Sequence, residues 1–329
     1  MVRIYFDKQV FSHLFKQEKS EYINLLRKIK EHKTSLFCYS HAHLLDLKSD
    51  KTNIKYRELE FMESIVEDNY LSYHALEKTT SCYLARPLEA FTDVEEDNDH
   101  IDFSTIFDFD TESLDPEEKE KIEKAKSLFY DTKLDFGFPE LKSLPEEITG
   151  SLEKVLPFGF QSMTLMQWTE HFMGIYKNMK EDKTVYKGVR NMTDKHFNNG
   201  KYTVNYDEID FNEDLKDSPF QKSFLDYVTS NINPNGDKSI SKYDFYTNAY
   251  FTLDLLGISK EQSKNVRFNN ILNDGIHSYY GAYCDCVISA DSGFLKKTRV
   301  LYKLFGIETK VMLIDDFIKS FDFTINKLT

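Results

Sequence analysis

The stretch Asn273-Asp274-Gly275-Ile276-His277-Ser278-Tyr279-Tyr280-Gly281-Ala282-Tyr283-Cys284-Asp285-Cys286-Val287-Ile288-Ser289-Ala290-Asp291 decides how the chain folds. At helical spacing Asp274, Ser278, Gly281 and Asp285 form one stripe, with His277 at its edge; Ile276, Tyr279, Tyr280 and Tyr283 form the opposite one. The spacing predicts a helix that buries its tyrosines and leaves a small, acidic face opposite. Residues 286–289 then have the length and branching of a short buried strand, which leaves Asp291 just past a strand's carboxyl end. A helix aiming one acid and a strand delivering another can bring two carboxylates together. Plainer roles compete: Asp274 can cap a helix, and Asp291 can sit in a turn.

Working outward, residues 292–305 read as a helix stopped by Gly306, and 310–314 as a strand, with a last helix from Asp315. Strand, helix and strand make a βαβ unit and predict a parallel sheet. At the other end of the chain, 2–6 read as a buried strand ending at Asp7. Residues 9–32 carry helical spacing with Tyr22, Leu25, Leu26 and Ile29 inward, and 36–39 form a second strand. Ser40 is placed to cap a helix starting at His41-Ala-His43-Leu-Leu-Asp46. A helix over about 53–67, with Leu59, Met62, Ile65 and Val66 inward, and a strand at 70–73 complete this part.

The net charge of −13 argues at first against a polyanionic partner. Its distribution says otherwise. Residues 1–80 hold 13 Lys and Arg against 12 Asp and Glu, and 238–329 hold 12 against 10. Residues 81–237 hold 17 against 33, so the acidity belongs to the middle. Within it, 93–123 carry fourteen acids with little apolar periodicity until Pro116 opens a Lys/Glu helix, which predicts a mobile, solvated segment. Helical stretches (notably 149–180) alternate with Asn/Gly turns up to 237, and a helix is expected over 239–257. No apolar run reaches a membrane span, and the start of the chain does not read as a signal peptide. Four cysteines without paired spacing predict free thiols in a reducing, cytoplasmic setting, with no membrane partner.

In a parallel sheet, ligands bind beyond the carboxyl ends of the strands, where Asp7 and Asp291 fall. Asp46 and Asp274, in the first turns of helices, can lean over the same edge. Clustered carboxylates repel and are tolerated when they share a cation. Oxygen ligands select Mg²⁺ or Mn²⁺, which suits phosphoryl chemistry.

This order of residues resembles the PIN-like nuclease family: Asp7 after the first strand, Ser40 and Asp46 around the next helix start, Asp274 opening a late helix, and Ser289-x-Asp291 after the next strand. The most specific part is Asp274-x-x-His277, then Gly281-Ala282, then Val287-Ile288-Ser289-Ala290-Asp291. The resemblance covers about 1–80 and 238–329. It implies a three-layer α/β/α domain in two pieces, with 81–237 an acidic, mainly helical insertion. It implies a metal-dependent nuclease acting on RNA, or on DNA in some branches; members often serve as microbial toxins or defence nucleases. Asp7, Asp46, Asp274 and Asp291 would bind the metal, with Ser289 supporting them. Asp46 departs from the family's more usual Glu. Asp285 is an extra acid, better suited to capping or pairing with a base than to the metal.

His277 can orient a carboxylate or touch phosphate, though a satisfied structural histidine is the commoner case. Lys264, Arg267, Lys296, Lys297, Arg299 and Lys303 flank the acids and can meet a phosphate backbone, or form solvated helix faces. Two further readings stay open. One is a scaffold without activity that docks a protein through the acidic segment; the other is a structure-selective DNA nuclease. The same segment can also hold polyanions away from the cleft.

Overall fold

The computed structural model describes residues 1–31, 34–96, 114–134, 163–182, 184–188, 190, 215–233, 236, 239–256 and 268–328. Its strands are β1 (Val2–Phe6), β2 (Ser35–Ser40), β3 (Asn69–His74), β4 (Thr79–Leu84), β5 (Lys133–Leu134), β6 (Met163–Thr164), β7 (Cys286–Ser289) and β8 (Lys310–Leu313). The main helices are α1 (Lys8–Lys16), α2 (Ser20–Glu31), α3 (His41–Ser49), α4 (Ile54–Val66), α5 (Pro87–Glu96) and α6 (Pro116–Asp131), then α7 (Leu165–Glu181), α8 (Pro219–Ile232), α9 (Lys242–Leu255), α10 (Phe268–Gly281), α11 (Ser292–Phe305) and α12 (Ile314–Leu328). By internal contacts the chain divides into two compact units, one of 1–97, 200–264 and 269–329 and the other of 98–199 with 265–268. Within the first unit, α5 packs on α3 and α4, and α8 on α9.

The first unit carries a six-stranded sheet of order β4-β3-β2-β1-β7-β8. Every pairing is parallel except β3 with β4. The expected βαβ unit is present, with Cys286 opposite Lys310 and Ser289 opposite Leu313. Alternation along β1 sends Val2, Ile4 and Phe6 into one core with α1, α2, α4 and Phe317 and Phe321 of α12. Tyr5 points the other way, toward His277 of α10. Helices thus cover both faces of an α/β sheet.

Two sequence expectations change. The run 9–32 is two helices, because Gln17 takes a left-handed backbone (φ 51°) and ends α1; Tyr22, Leu25, Leu26 and Ile29 still point inward from α2. The strand β4 and helix α5 went unread, since β4 is an exposed edge without an apolar face.

The face of α10 expected to be open is packed. Ser278 and Gly281 are buried: Tyr302 Oη donates to the Ser278 carbonyl at 2.7 Å, and Tyr246 Oη lies 2.6 Å from Ser278 Oγ. A Cβ at Gly281 would overlap Val287 Cγ2 and stand 2.9 Å from Tyr302 Oη. Glycine is there so that α10 can lie close to β7.

In the second unit, α6 starts at Asp115, whose carboxylate accepts from Glu118 N while Glu118 reaches back to Asp115 N. Thr164 and Gln167 repeat this box at α7, and β5 pairs antiparallel with β6. The expected mobile stretch lies outside the described residues over 97–113, as do 149–162 of the expected helix 149–180 and the Asn198-Asn199-Gly200 turn. All four cysteines are free thiols; Cys82 is exposed and the other three are buried. No described helix is long and apolar enough to cross a membrane.

Gly281→Ala is expected to lower stability by about 1–3 kcal/mol through overpacking against Val287. A urea midpoint unchanged from wild type would show that α10 can back away from β7 without loss.

Candidate functional site

In the sheet order, β1 lies between β2 and β7, so successive connections leave β1 in opposite directions. The carboxyl ends of β1 and β7 therefore flank a topological switch point, where open α/β sheets bind ligands. Asp7 follows β1, and Asp7 N donates to Ile288 O at 3.0 Å. Ser289 ends β7 and Asp291 lies two residues on. Ser289 Oγ donates to Asp7 Oδ2 in a short contact and accepts from Asp291 N at 2.9 Å. Ser289 therefore ties the two acids together.

Both acids are also N-caps. Asp7 Oδ1 accepts from Val10 N at 3.0 Å and starts α1. Asp291 Oδ1 accepts from Gly293 N at 2.7 Å and Phe294 N at 3.0 Å and starts α11. Asp291 Oδ2 has no hydrogen-bond partner among the described residues. Asp7 is 6% exposed. Burial pushes its carboxyl up to about 6, against the Ser289 hydroxyl, the His277 charge and the Val10 N–H, and the charge of Asp291 adds to the rise.

Asp46 sits differently. Asn273 Nδ2 donates to its Oδ1 at 2.7 Å, and His277 Nε2 meets its Oδ2 at 3.0 Å. Burial opposes ionisation, but those partners together hold its carboxyl below the usual range. A polar chain continues inward: His277 Nδ1 lies 2.8 Å from Tyr5 Oη, which lies 2.7 Å from Ser40 Oγ. With His277 Nε2–H donating to Asp46, Nδ1 accepts from the Tyr5 hydroxyl, which in turn accepts from Ser40. His43 is held neutral by its own surroundings. Its Nε2 donates to Phe6 O at 2.7 Å, its Nδ1 accepts from Ser40 N at 3.1 Å, and burial pulls its pKa down to about 3. His277 and His43 are thus satisfied inside the fold, and Ser40 belongs to their network.

Asp274 does not open its helix: α10 begins by Phe268, so Asp274 lies in the second turn, half-buried. Its charge and that of Asp291 both act on the phenol of Tyr250. Asp285 is at the opposite edge of the sheet. It accepts from Arg3 N at 2.8 Å and pairs with the Arg3 guanidinium at 2.9 Å, so it takes the base-pairing role rather than joining the other acids.

The basic candidates divide. Lys297 faces inward, fully buried, with Nζ 2.8 Å from the buried Asp254 Oδ1; it does not face solvent as a phosphate contact requires. The helix face that carries it packs on α9. Arg299 donates to Val311 O at 3.0 Å, and Lys296 is exposed. Lys264 and Arg267 lie outside the described residues.

Among the described residues, no group of three or more His, Cys, Asp or Glu stands close enough to hold a metal ion directly. These side chains do not form a closed cage. Mg²⁺ does not require one, since it keeps several waters and is held through one or two carboxylates. Asp7 and Asp291, joined by Ser289 and with the second oxygen of Asp291 unused, fit that mode. No family model matches the chain, and no curated protein or solved structure matches it either.

Sequence reasoning missed Tyr5, Asn273, Tyr250 and Asp254. Tyr5 reads as one more apolar residue of a strand, and the others touch partners far away in sequence. The cavity of about 500 Å³ lined by Phe245, Tyr246, Tyr279, Tyr283 and Phe305 is apolar and lies at the other edge of the sheet, before β7 and β8.

Asp7 holds its proton more tightly folded, at about 6, than at its ordinary 3.8. Its contribution to stability is therefore complete below about 3.8 and is lost as pH rises through about 6. In metal-free buffer Asp7→Asn, which keeps the capping oxygen, should gain on the order of 2 kcal/mol over wild type at pH 7.5 and little at pH 4. Urea midpoints at the two pH values check it, and equal differences would refute the shift.

Lys297→Met strands the buried Asp254 and is expected to cost about 3–5 kcal/mol. Adding Asp254→Leu should restore most of that loss in thermal unfolding; a double variant as unstable as the single would mean that packing, not charge, sets the cost.

Proposed function

We propose that the chain is a divalent-metal-dependent nuclease of the PIN-like type, hydrolysing phosphodiester bonds with RNA as the favoured substrate. The observation that carries this reading is the pairing of Asp7 with Asp291 through Ser289 at the switch point of the parallel sheet. A buried carboxyl driven up by burial and a second negative charge is a group poised for a cation.

Asp7 and Asp291 are the residues that would hold Mg²⁺ or Mn²⁺, with Asp274 on the adjoining helix. Such an ion supplies an activated water and neutralises charge on the scissile phosphate. The chain's own part is positioning. Ser289 and the two helix caps fix the carboxylate planes, and the N-termini of α1 and α11 meet the same crevice, which favours an anionic phosphate there. His277 and Asn273 hold both oxygens of Asp46.

That engagement of both Asp46 oxygens favours the second reading, a scaffold without activity that binds a basic protein partner through the acidic middle of the chain. Mn²⁺ separates the two. Metal bound only by the native state raises the melting temperature, whereas a scaffold without the site gives no shift.

In Mn²⁺ buffer, wild type should cleave single-stranded RNA, and Asp7→Asn and Asp291→Asn should each abolish cleavage while leaving far-UV circular dichroism unchanged. Cleavage surviving in the purified double variant would remove the metal site from the proposal. Faster cleavage of DNA than of RNA would move the substrate and leave the chemistry in place.

A further inference from the structure

The cavity of about 500 Å³ formed by α9, the end of α10 and the end of α11 lies within the roughly 300–1,000 Å³ of pockets that hold small molecules. Its rings keep one another in place. Phe305 meets Phe245 at 5.9 Å and Tyr246 at 5.4 Å between centroids. Tyr246 meets Tyr279 at 5.7 Å, and Tyr279 meets Tyr283 at 5.4 Å. Most of these pairs are edge to face, so the walls are set by mutual packing before any ligand enters.

The polar atoms of the walls are few, and several are already engaged. Tyr246 Oη lies 2.6 Å from Ser278 Oγ. Ser241 Oγ donates to Asp244 Oδ2 at 2.7 Å and accepts from Asp244 N at 2.9 Å. Tyr279 Oη joins Thr80 Oγ1 at 2.6 Å and Tyr283 Oη at 2.9 Å. Three hydroxyls bring three hydrogens and the two links use two, so this chain keeps one hydrogen to give. Lys242 is exposed, and its ammonium has no ion pair among the described residues. No acid lines the cavity among the described residues, so the one formal charge on its walls is positive.

We propose that this cavity is a binding site for a small aromatic carboxylate, separate from the candidate metal site and independent of the nuclease reading. The aryl body lies among Phe245, Tyr246, Tyr279 and Phe305, which offer ring edges and faces to a flat guest. The carboxylate pairs with Lys242, and the hydroxyl chain adds a donor to the walls. A cationic ligand would meet the ammonium as a like charge. A wholly apolar one would leave both donors without an acceptor. The rings supply the buried area, and the charge sets which end of the ligand faces out.

The test is calorimetric titration of the full chain with cinnamate, with cinnamyl alcohol and cinnamylamine as its neutral and cationic counterparts. Wild type should bind cinnamate saturably, the alcohol more weakly and the amine least. Lys242→Gln, at an exposed position, should weaken cinnamate roughly fivefold, the limit for an exposed ion pair, and leave the alcohol unchanged. Ala282→Phe, which sets a ring into the chamber, should abolish binding of both, with its urea midpoint showing that it folds. Should that variant not fold, Lys242→Gln carries the test alone. Absence of saturable cinnamate binding by wild type overturns the inference. Cinnamate affinity unchanged in Lys242→Gln, or amine bound as tightly as cinnamate, overturns it as well. Full cinnamate affinity in folded Ala282→Phe places the ligand elsewhere and overturns it too.

Discussion

The parallel pairing of β1 with β7 is the constraint on which the rest of the structure depends. It sets Ile4 opposite Cys286 and Phe6 opposite Ile288, so residues near the two ends of the chain share one ladder. Closing so long a loop carries an entropic cost that grows only with the logarithm of its length, which is why a large excursion between the two strands is tolerable. The register itself is pinned at both ends by acids. At the amino end Asp285 accepts from Arg3 N while its own N–H donates to Arg3 O at 2.9 Å. At the carboxyl end Ser289 meets Asp7. A slip of one residue would exchange Tyr5 and Phe6 between the two faces, breaking the His277 network and the apolar core at once.

The two ends of that ladder use carboxylates in opposite ways. The Arg3–Asp285 pair is half in water and so contributes modestly. Asp7 is out of water, beside Asp291, and its ionisation works against the fold. Asp46 is also largely shielded, yet it stays ionised because Asn273 and His277 donate to both of its oxygens. Two acids of one type on one sheet edge are thereby pushed apart in proton affinity by their surroundings. That separation is how a fold assigns different tasks to equal side chains, and it places the strained member at the switch point.

The parts of this arrangement legible in sequence are those set by short-range pattern. Strands 2–6 and 286–289 and the helix 292–305 match because apolar runs and their stop signals are local. Asp7, Ser289 and Asp291 were readable for the same reason, since each closes a strand. Asp274 was misplaced as a helix opener because the helix is already formed by Phe268. The partners of Asp46, 227 and 231 residues away, leave no mark near it in the sequence. Lys297 read as a basic surface residue for want of any sign that Asp254 lies opposite. Charge on a helix tells its face only when the neighbouring helix is known.

That neighbour, α9, shows how the second wall of the site is built. Tyr246, Tyr250 and Asp254 are spaced four apart and so line one stripe of the helix. Tyr246 meets Ser278, and Tyr250 meets Gly275. As α9 advances by one turn, its partner on α10 steps back by about one turn, so the helices run antiparallel. Each position packs an apolar body and must also settle a polar tip. Tyr246 settles its tip on Ser278, and Asp254 settles its charge on Lys297. The middle tip, on Tyr250, has no hydrogen-bond partner among the described residues. The buried tips along this stripe are thus met unevenly: Tyr246 by a hydrogen bond, Asp254 by the charge of Lys297, and Tyr250 by neither among the described residues.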